Sequence, residues 1–106
     1  MGSKNVQELN ESNFEQVVSQ GVALVDFWAP WCGPCQMMGP VLEDLASSVS
    51  GVVVGKVDVD QNPQLAAKFL VQSIPLLVLL KDGVEKERFV GVQPIASLES
   101  AIQKYV

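Results

Sequence analysis

Three largely apolar segments of this chain restrict the fold more than any other feature of the sequence. Val22–Trp28 is apolar on both faces, Val52–Val59 is rich in β-branched residues, and Leu76–Leu80 is a third apolar segment. Strands of this kind are covered on both sides, so the pattern predicts a central sheet between layers of helices. Helical spacing at 35–49, and from Pro63 to about Leu70, provides candidates for that cover.

The remaining elements are predicted from the ends of the chain and from its turns. Residues 5–9 are candidates for an edge strand, and Ser12–Glu15 has the pattern of a capping box ahead of a short helix. Asp82-Gly83 predicts a two-residue hairpin turn with a return strand at 85–90. Pro94 suits the start of a last helix.

The predicted order of elements is β-α-β-α-β-α-β-β-α. Helices between strands imply parallel pairing with right-handed crossovers, and the hairpin adds an antiparallel edge. The expected fold class is therefore α/β, with a central mixed sheet of about five strands flanked by about four helices. With 106 residues, of which 48% are apolar, the sequence predicts a single domain over 1–106.

Charge and the absence of histidine argue against several classes of function. Seven Lys and Arg against twelve Asp and Glu give a net charge of −5, which is unsuited to binding nucleic acid. The longest apolar run, Leu76–Leu80, is far shorter than the about 20 residues of a membrane span. Met1–Lys4 has no apolar stretch behind its charge, so we expect no secretory signal, no membrane partner and a cytoplasmic location. Without histidine, Ser-His and Cys-His catalysis and histidine metal sites are excluded.

The motif with the most chemical content is Cys32-Gly33-Pro34-Cys35, which contains both cysteines of the chain. Three interpretations compete. Half of a zinc site would need further ligands from a second molecule, because the chain has no other Cys and no His. A structural disulfide across so short a loop would stabilise the fold by only about 2 kcal/mol. We favour the third, a dithiol that cycles between reduced and oxidised forms, with no metal.

The position of the motif between a strand and a helix supports redox chemistry. Cys32 would lie at the helix N-terminus, where the backbone dipole and free amides favour a thiolate. Cys35 would lie one turn inside, facing Cys32 and more buried. Gly33 lets the chain turn tightly and leaves the sulfur approachable, and Pro34 fixes the first turn.

The segment Trp28-Ala29-Pro30-Trp31-Cys32-Gly33-Pro34-Cys35, following Val25-Asp26-Phe27, resembles the active-site signature of the thioredoxin family. The resemblance covers nearly the whole chain. Further matching segments, in the family's order, are Lys56 before Val57-Asp58, Asp60-Gln61-Asn62-Pro63, Ile74-Pro75, Lys81-Asp82-Gly83 and Val90-Gly91. The resemblance implies a thioredoxin fold and a protein disulfide reductase, and Gly-Pro between the cysteines is typical of its reducing members.

The resemblance also implies roles for residues around the dithiol. Asp26 would be a buried acid beneath Cys35, with a pKa raised by desolvation so that it can accept a proton. The sequence alone also allows an edge position or a satisfied polar group in the core, which we favour less. Lys56 would approach Asp26 and tune its protonation, although a surface lysine fits the same pattern. Gly33 and Pro34 complete the tuning set.

A substrate-binding surface is implied around Cys32. The resemblance predicts a cis Ile74-Pro75 bond, where the sequence alone would allow an ordinary trans proline. The bond would hold the backbone of Ile74 beside Cys32, free to pair with an extended substrate. Trp31 would be partly exposed and shield the sulfurs, or would be an ordinary packing aromatic. The other predicted members of this surface are Val59, Val90 and Gly91.

The implied mechanism has two steps. Cys32 thiolate attacks a target disulfide, and Cys35 then attacks the Cys32 sulfur and releases the reduced target. The expected partners are disulfide-containing target proteins and a thioredoxin reductase that draws electrons from NADPH or ferredoxin. No bound cofactor is expected beyond the redox-active disulfide, and we expect a monomer. The rival functions are a non-redox binding subunit of a larger assembly and a disulfide oxidase or isomerase.

Four positions depart from the family pattern. Gln36 occupies a position where many members have a basic residue, and Leu76 one where the family usually has Thr. Leu70 and Ser73 replace glycines that are found in some bacterial members. None of the four belongs to the dithiol. If these substitutions have an effect, we expect it on the choice of partner or on the reduction potential.

Overall fold

The computed structural model describes residues 5–106, and within them the chain forms five strands and four helices. The elements in chain order are β1 (Val6–Leu9), α1 (Phe14–Val18), β2 (Val22–Trp28), α2 (Gly33–Ser48), β3 (Val52–Asp58), α3 (Pro63–Lys68), β4 (Leu76–Lys81), β5 (Val84–Val90) and α4 (Ile95–Gln103). This is the predicted order. The N-terminal residues on which the absence of a secretory signal was predicted, 1–4, lie outside the described part. Of the four helices described, none has the length and apolar character that crossing a bilayer requires.

The strands form one mixed sheet in the order β1-β3-β2-β4-β5. β3 pairs in parallel with both β1 and β2, while β4 runs antiparallel to both β2 and β5. The expected α/β class, with a central mixed sheet of five strands flanked by helices, is therefore confirmed. β2 lies at the centre and is buried at every residue from Val22 to Phe27, as expected for a strand without polar alternation.

Helices cover both faces of the sheet. Successive side chains of a strand point to opposite faces, so Val22 and Leu24 enter one apolar cluster while Val25 and Phe27 enter the other. The first cluster lies beneath α2 and α4, and the second beneath α1 and α3. Asp26 has the parity of Leu24 and therefore faces the α2 layer.

Close packing of β1 against β3 depends on a glycine that the sequence analysis did not single out. Gly55 lies opposite Gln7 in the parallel register. A Cβ atom at position 55 would lie 2.6 Å from Cδ1 of Leu9. Real Cβ atoms do not approach carbon so closely, so a larger residue at position 55 would require the buried Leu9 side chain to move.

The hairpin prediction is confirmed. β4 and β5 are joined by Asp82 and Gly83 alone, with φ of 51° and 81°. Two consecutive positive φ values are typical of a type I′ turn, which fits the twist of the strands. The Asp82 carboxylate also accepts a hydrogen bond from the amide of Gly21 at 2.7 Å, which ties the turn to the start of β2.

Two helix boundaries differ from the predictions. The capping box at Ser12–Glu15 is wrong: α1 begins at Phe14, and its N-cap Asn13 makes no side-chain capping bond. The Asn10 carboxamide instead accepts hydrogen bonds from the amides of residues 12 and 13, so the turn is closed before the helix begins. Glu15 pairs with Lys68 rather than with a helix amide.

The second difference affects the cysteines. α2 begins at Gly33, two residues before the predicted start at 35. Cys32 is therefore the N-cap residue, with Cys35 in the first turn, which agrees with the predicted place of Cys32 at the helix N-terminus.

Candidate active site

The cysteine motif lies where β2 ends and α2 begins. The amide of Cys32 donates to the carbonyl of Ala29 at 3.1 Å, which turns the chain away from the sheet. Pro34 occupies the first turn of the helix, where the amide it lacks would have no partner. The Cys32 sulfur accepts a hydrogen bond from the amide of Cys35 at 3.2 Å. A sulfur in the place of an N-cap oxygen, at the positive end of a helix, is stabilised as a thiolate.

The two cysteines form a disulfide, with their Cα atoms 5.3 Å apart. Both are almost fully buried: Cys32 is 5% exposed and Cys35 is 4% exposed. The predicted difference in burial is therefore absent in this oxidised form, because both sulfurs share one small apolar cluster with Ala29. What distinguishes them is the capping hydrogen bond, which Cys32 accepts.

Asp26 is a buried acid in the centre of the sheet. The residue is only 3% exposed, and its Oδ1 has no hydrogen-bond partner within residues 5–106. β2 has a paired strand on each side, so Asp26 is not at a sheet edge, and no protein group within residues 5–106 satisfies this oxygen. Burial raises the pKa of Asp26 from 3.8 to about 7, while the positive charge of Lys56 acts in the opposite direction.

Asp26 and Cys35 share a cavity of about 140 Å³. Its lining residues are Val6, Asp26, Trp28, Cys35, Gln36, Gly39, Leu42, Glu43 and Lys56. A cavity of this size with polar groups in its wall has room for water. The arrangement gives the buried carboxyl a route for proton exchange with the side of the helix that carries Cys35.

Lys56 lies beside Asp26 on the neighbouring strand, as the sequence analysis expected. The two residues are direct partners in the parallel register of β2 and β3. The Lys56 ammonium group lies 5.1 Å from the centre of the Trp28 ring, within range of a cation–π interaction. Lys56 is half-buried, and its positive charge acts to lower the pKa of the Asp26 carboxyl.

The predicted cis peptide bond between Ile74 and Pro75 is present. The carbonyl oxygen of Ile74 lies 3.8 Å from the Cys32 sulfur, and Ile74 and Val59 pack against the cysteines. The amide of Gly91 donates to the carbonyl of Pro75 at 2.8 Å. Of the predicted surface residues, Ile74 and Val59 therefore lie against the cysteines, and Gly91 is bonded to Pro75, the residue after Ile74.

The two most exposed predicted surface residues have different environments. Trp31 is 70% exposed and Val90 is 62% exposed. The Trp31 indole donates to the Asp60 carboxylate at 2.8 Å, and its ring lines a cavity of about 320 Å³ with Val59 and Ile74. Val59 and Ile74 pack against the cysteines, so the exposed Trp31 borders the same surface. The shielding of the sulfurs by Trp31 stays a prediction.

Sequence reasoning missed two contacts that position this surface. One is Asp60, which holds the Trp31 ring. The other involves Gln93, whose amide donates to the Met38 sulfur at 3.4 Å and whose side chain donates to the carbonyls of Val90 and Gly91. These bonds connect the loop after β5 to the active-site helix. No short-range pattern indicated either contact, because the partners are far apart in sequence.

No group of three or more potential metal ligands occurs within residues 5–106. The zinc interpretation therefore finds no further ligand in the described part of this chain.

Comparison with known proteins agrees with the site. The family model described as Thioredoxin matches residues 5–104. A thioredoxin of Staphylococcus saprophyticus is 48% identical over 102 residues, which cover 95% of this chain and 98% of that protein. A thioredoxin of Staphylococcus haemolyticus is 47% identical with the same coverage.

Solved structures show the same similarity in three dimensions. A mutant thioredoxin of Halobacterium salinarum matches with a TM-score of 0.90 and 38% identity, covering 99% of this chain and 94% of its own. A thioredoxin of Malassezia sympodialis matches with a TM-score of 0.84 and 37% identity, covering 99% and 92%.

Proposed function

The chain belongs to the thioredoxin family, and from that premise we propose how its residues divide the work of a disulfide reductase. Thioredoxin-type reduction of disulfides by thiol–disulfide exchange is the function of the chain, and its redox-active pair is Cys32 and Cys35. The family needs no bound cofactor. In the proposal Cys32 is the nucleophile, Cys35 is the resolving thiol and Asp26 is the proton acceptor. The observation that carries it is the capping bond to the Cys32 sulfur, which singles out one cysteine as the stabilised thiolate.

In the first step the Cys32 thiolate attacks one sulfur of the target disulfide. A bond forms between Cys32 Sγ and that sulfur, and the second target sulfur leaves as a thiolate that takes a proton from solvent. The amide of Cys35 supports the negative charge on Cys32 before the attack. Gly33 leaves room for the incoming sulfur, and Pro34 keeps the first turn rigid.

In the second step Cys35 attacks the Cys32 sulfur. Asp26 accepts the Cys35 proton across their shared cavity, and a pKa of about 7 suits a proton acceptor at neutral pH. The bond from Cys32 to the target breaks, and the target sulfur leaves as a thiolate that takes a proton from solvent to become the second thiol. Two electrons have then passed to the target, and the chain ends as the Cys32–Cys35 disulfide. Lys56 tunes the step through the charge it places beside Asp26.

The target segment binds in an extended conformation beside the dithiol. The backbone of Ile74, held by the cis bond to Pro75, pairs with the target backbone as an added strand would. Val59, Val90 and Trp31 supply apolar contacts, and Gly91 leaves space for the approaching chain. The contact of the Ile74 carbonyl with the Cys32 sulfur supports this placement.

The proposal extends to partners and location. Disulfide-containing proteins are the targets, and a thioredoxin reductase restores the dithiol. We place this exchange in the cytoplasm, where thiols are kept reduced. The acidic composition fits a protein without nucleic-acid or membrane partners, and residues 1–106 act as one monomeric domain.

A single-turnover transfer experiment tests the proposal. The protein is reduced, freed of reductant and mixed with an excess of a disulfide-containing protein, and target thiols and the oxidised chain are counted over time. We expect two target thiols for each chain that becomes oxidised. Cys32→Ser should form no target thiols. For a binding subunit without redox function, Cys32→Ser would behave like the wild type.

The same assay tests the role of Asp26. Asp26→Asn should keep the stoichiometry but slow the release of the target by roughly a hundredfold, the lower range for loss of a proton acceptor. Asp44→Asn, on the exposed face of α2, is the matched control. Release at the wild-type rate from Asp26→Asn would refute the proton-acceptor role, and failure of the wild type to transfer any thiols would refute the reductase mechanism.

A further inference from the structure

Leu70 occupies a backbone position that is suited to glycine. α3 ends at Lys68, and the amides of Leu70 and Val71 donate back to the carbonyls of Ala67 and Ala66 at 3.1 and 2.9 Å. This pair of bonds is the Schellman motif, in which the first residue beyond the C-cap is left-handed and usually Gly. Leu70 has a φ of 54°. A branched side chain is disfavoured at that φ because its Cβ crowds the following carbonyl.

Folding gains nothing visible from this side chain. Leu70 is 74% exposed and belongs to neither of the two large apolar clusters. A solitary exposed leucine is ordinary, but here exposure is combined with an unfavourable backbone conformation at the edge of the dithiol surface. Exposure of an apolar side chain and a positive φ are both unfavourable for the isolated protein. A contact between Leu70 and another molecule would account for the presence of leucine at this position.

The turn that presents Leu70 is held firmly. The Arg88 guanidinium donates to the carbonyl of Phe69, the C-cap of α3, at 2.9 Å. Glu85 accepts two further hydrogen bonds from the same guanidinium, at 2.7 and 2.9 Å. Leu70 is therefore fixed to β5 rather than carried on a free loop. Because Glu85 neutralises Arg88, the surroundings present no strong unpaired charge.

Leu70 is continuous with the proposed substrate surface. A cavity of about 110 Å³ is lined by Leu70, Gln72, Ser73, Leu76, Arg88 and Val90. Ser73 directly precedes Ile74, and Val90 directly precedes Gly91. Arg88 and Val90 share one face of β5, so the Leu70 turn borders the exposed end of the strand. A target segment that pairs with Ile74 would pass this cavity.

We propose that Leu70 and Val90 form a specificity subsite that receives an aliphatic side chain of the target, close to the cysteine that Cys32 attacks. The proposal rests on the proposed function and adds a preference for targets that have an aliphatic residue near the attacked cysteine. The cavity, of about 110 Å³, offers space for such a side chain. Three of its lining residues are apolar, the exposed Leu70 and Val90 and the buried Leu76, while Gln72, Ser73 and Arg88 complete the lining. Leucine, isoleucine, valine and methionine are the chemical class of occupant.

The test uses symmetric disulfide dimers of short peptides, so that either sulfur carries the same segment. Each peptide has one cysteine in a Gly/Ser background, with leucine placed at one position at a time on either side of it. Reduced wild-type protein is mixed with each dimer, and the second-order rate of peptide thiol release is measured. The rate with the leucine-free dimer reports the disulfide reductase activity, and the ratio between leucine and leucine-free dimers reports the subsite.

We expect at least one leucine position to raise the rate about tenfold, a typical value for an apolar contact in a binding site. Leu70→Gly and Leu70→Asn should remove that advantage while leaving the leucine-free rate unchanged. Both residues accept a positive φ, so the variants keep the turn. Val84→Asn, at the far exposed end of β5, is the matched control and should keep the advantage.

Two results would overturn the proposal. One is a wild-type protein that shows no preference for leucine at any position. The other is an advantage that persists in both Leu70 variants. A wild-type protein that reduces none of the dimers would instead refute the proposed function, so the two failures are distinguishable.

Discussion

Replacing Asp26 with a neutral residue should stabilise the protein at neutral and alkaline pH. In the folded state burial raises the pKa of Asp26 from 3.8 to about 7, so the folded protein binds this proton more tightly than the unfolded chain. The free energy of unfolding therefore falls as the pH rises from about 3.8 to about 7, and it stays lower above that range. At about 1.4 kcal/mol per pKa unit, the loss is of the order of 4 kcal/mol.

Asp26→Asn keeps the shape of the side chain and removes its charge. We expect the variant to be more stable than the wild type by up to about 4 kcal/mol near pH 8, and by little near pH 4. Asp26→Ala should show the same pH dependence with a constant offset, because the smaller side chain enlarges the adjacent cavity. The direction of the change is opposite to that of most substitutions at buried positions.

Denaturant unfolding of the oxidised protein at a series of pH values measures this difference. Asp44→Asn is the control, since its carboxylate lies on the exposed face of α2 and should leave the pH dependence unchanged. The reasoning is refuted if the wild type and Asp26→Asn lose stability in parallel between pH 4 and pH 8. It is equally refuted if Asp26→Asn is the less stable of the two near pH 8 with its secondary structure intact.

Three further changes give distinct outcomes. Cys35→Ser should accumulate a mixed disulfide between Cys32 and a target, which is seen on non-reducing gels and is reversed by added thiol. If Cys32→Ser traps targets equally well, the assignment of Cys32 as nucleophile and Cys35 as resolving thiol is wrong. Lys56→Met should raise the pKa of Asp26 above about 7, because the ammonium charge lowers it; an NMR titration of the carboxyl group measures this, and an unchanged or lower pKa would contradict the placement of Lys56. Gly55→Ala should destabilise the fold by roughly 1–3 kcal/mol, since its Cβ would meet Leu9, and thermal melts showing wild-type stability would contradict that packing.

The features that the sequence predicted well depend on local patterns. The hairpin at Asp82-Gly83 follows from two adjacent residues that tolerate positive φ. The central position of β2 follows from the absence of polar alternation between Val22 and Phe27. The order of the elements was predictable from local patterns as well. The residues around the dithiol were predictable from the resemblance of the cysteine motif to a known family.

The features that the sequence missed depend on residues distant in the chain. The capping box at Ser12 fails because Asn10 makes the competing turn. The orientation of Trp31 depends on Asp60, and the approach of the first strand depends on Gly55. The left-handed conformation of Leu70 has no signal in the residue itself, since leucine is disfavoured there, and it is indicated only by the glycine that some members of the family have at this position.

The reduction potential of the Cys32–Cys35 pair tests most directly that the protein is a reductase rather than an oxidase or isomerase. The protein is equilibrated with glutathione buffers of graded ratio, free thiols are trapped by alkylation, and the two forms are separated by mass. We predict that the pair remains largely oxidised in a buffer whose glutathione potential is about −240 mV. That result means that the Cys32–Cys35 dithiol is a stronger reductant than glutathione under these conditions. If the pair is already half reduced in a buffer with a higher, more oxidising glutathione potential, the assignment as a reductase is contradicted.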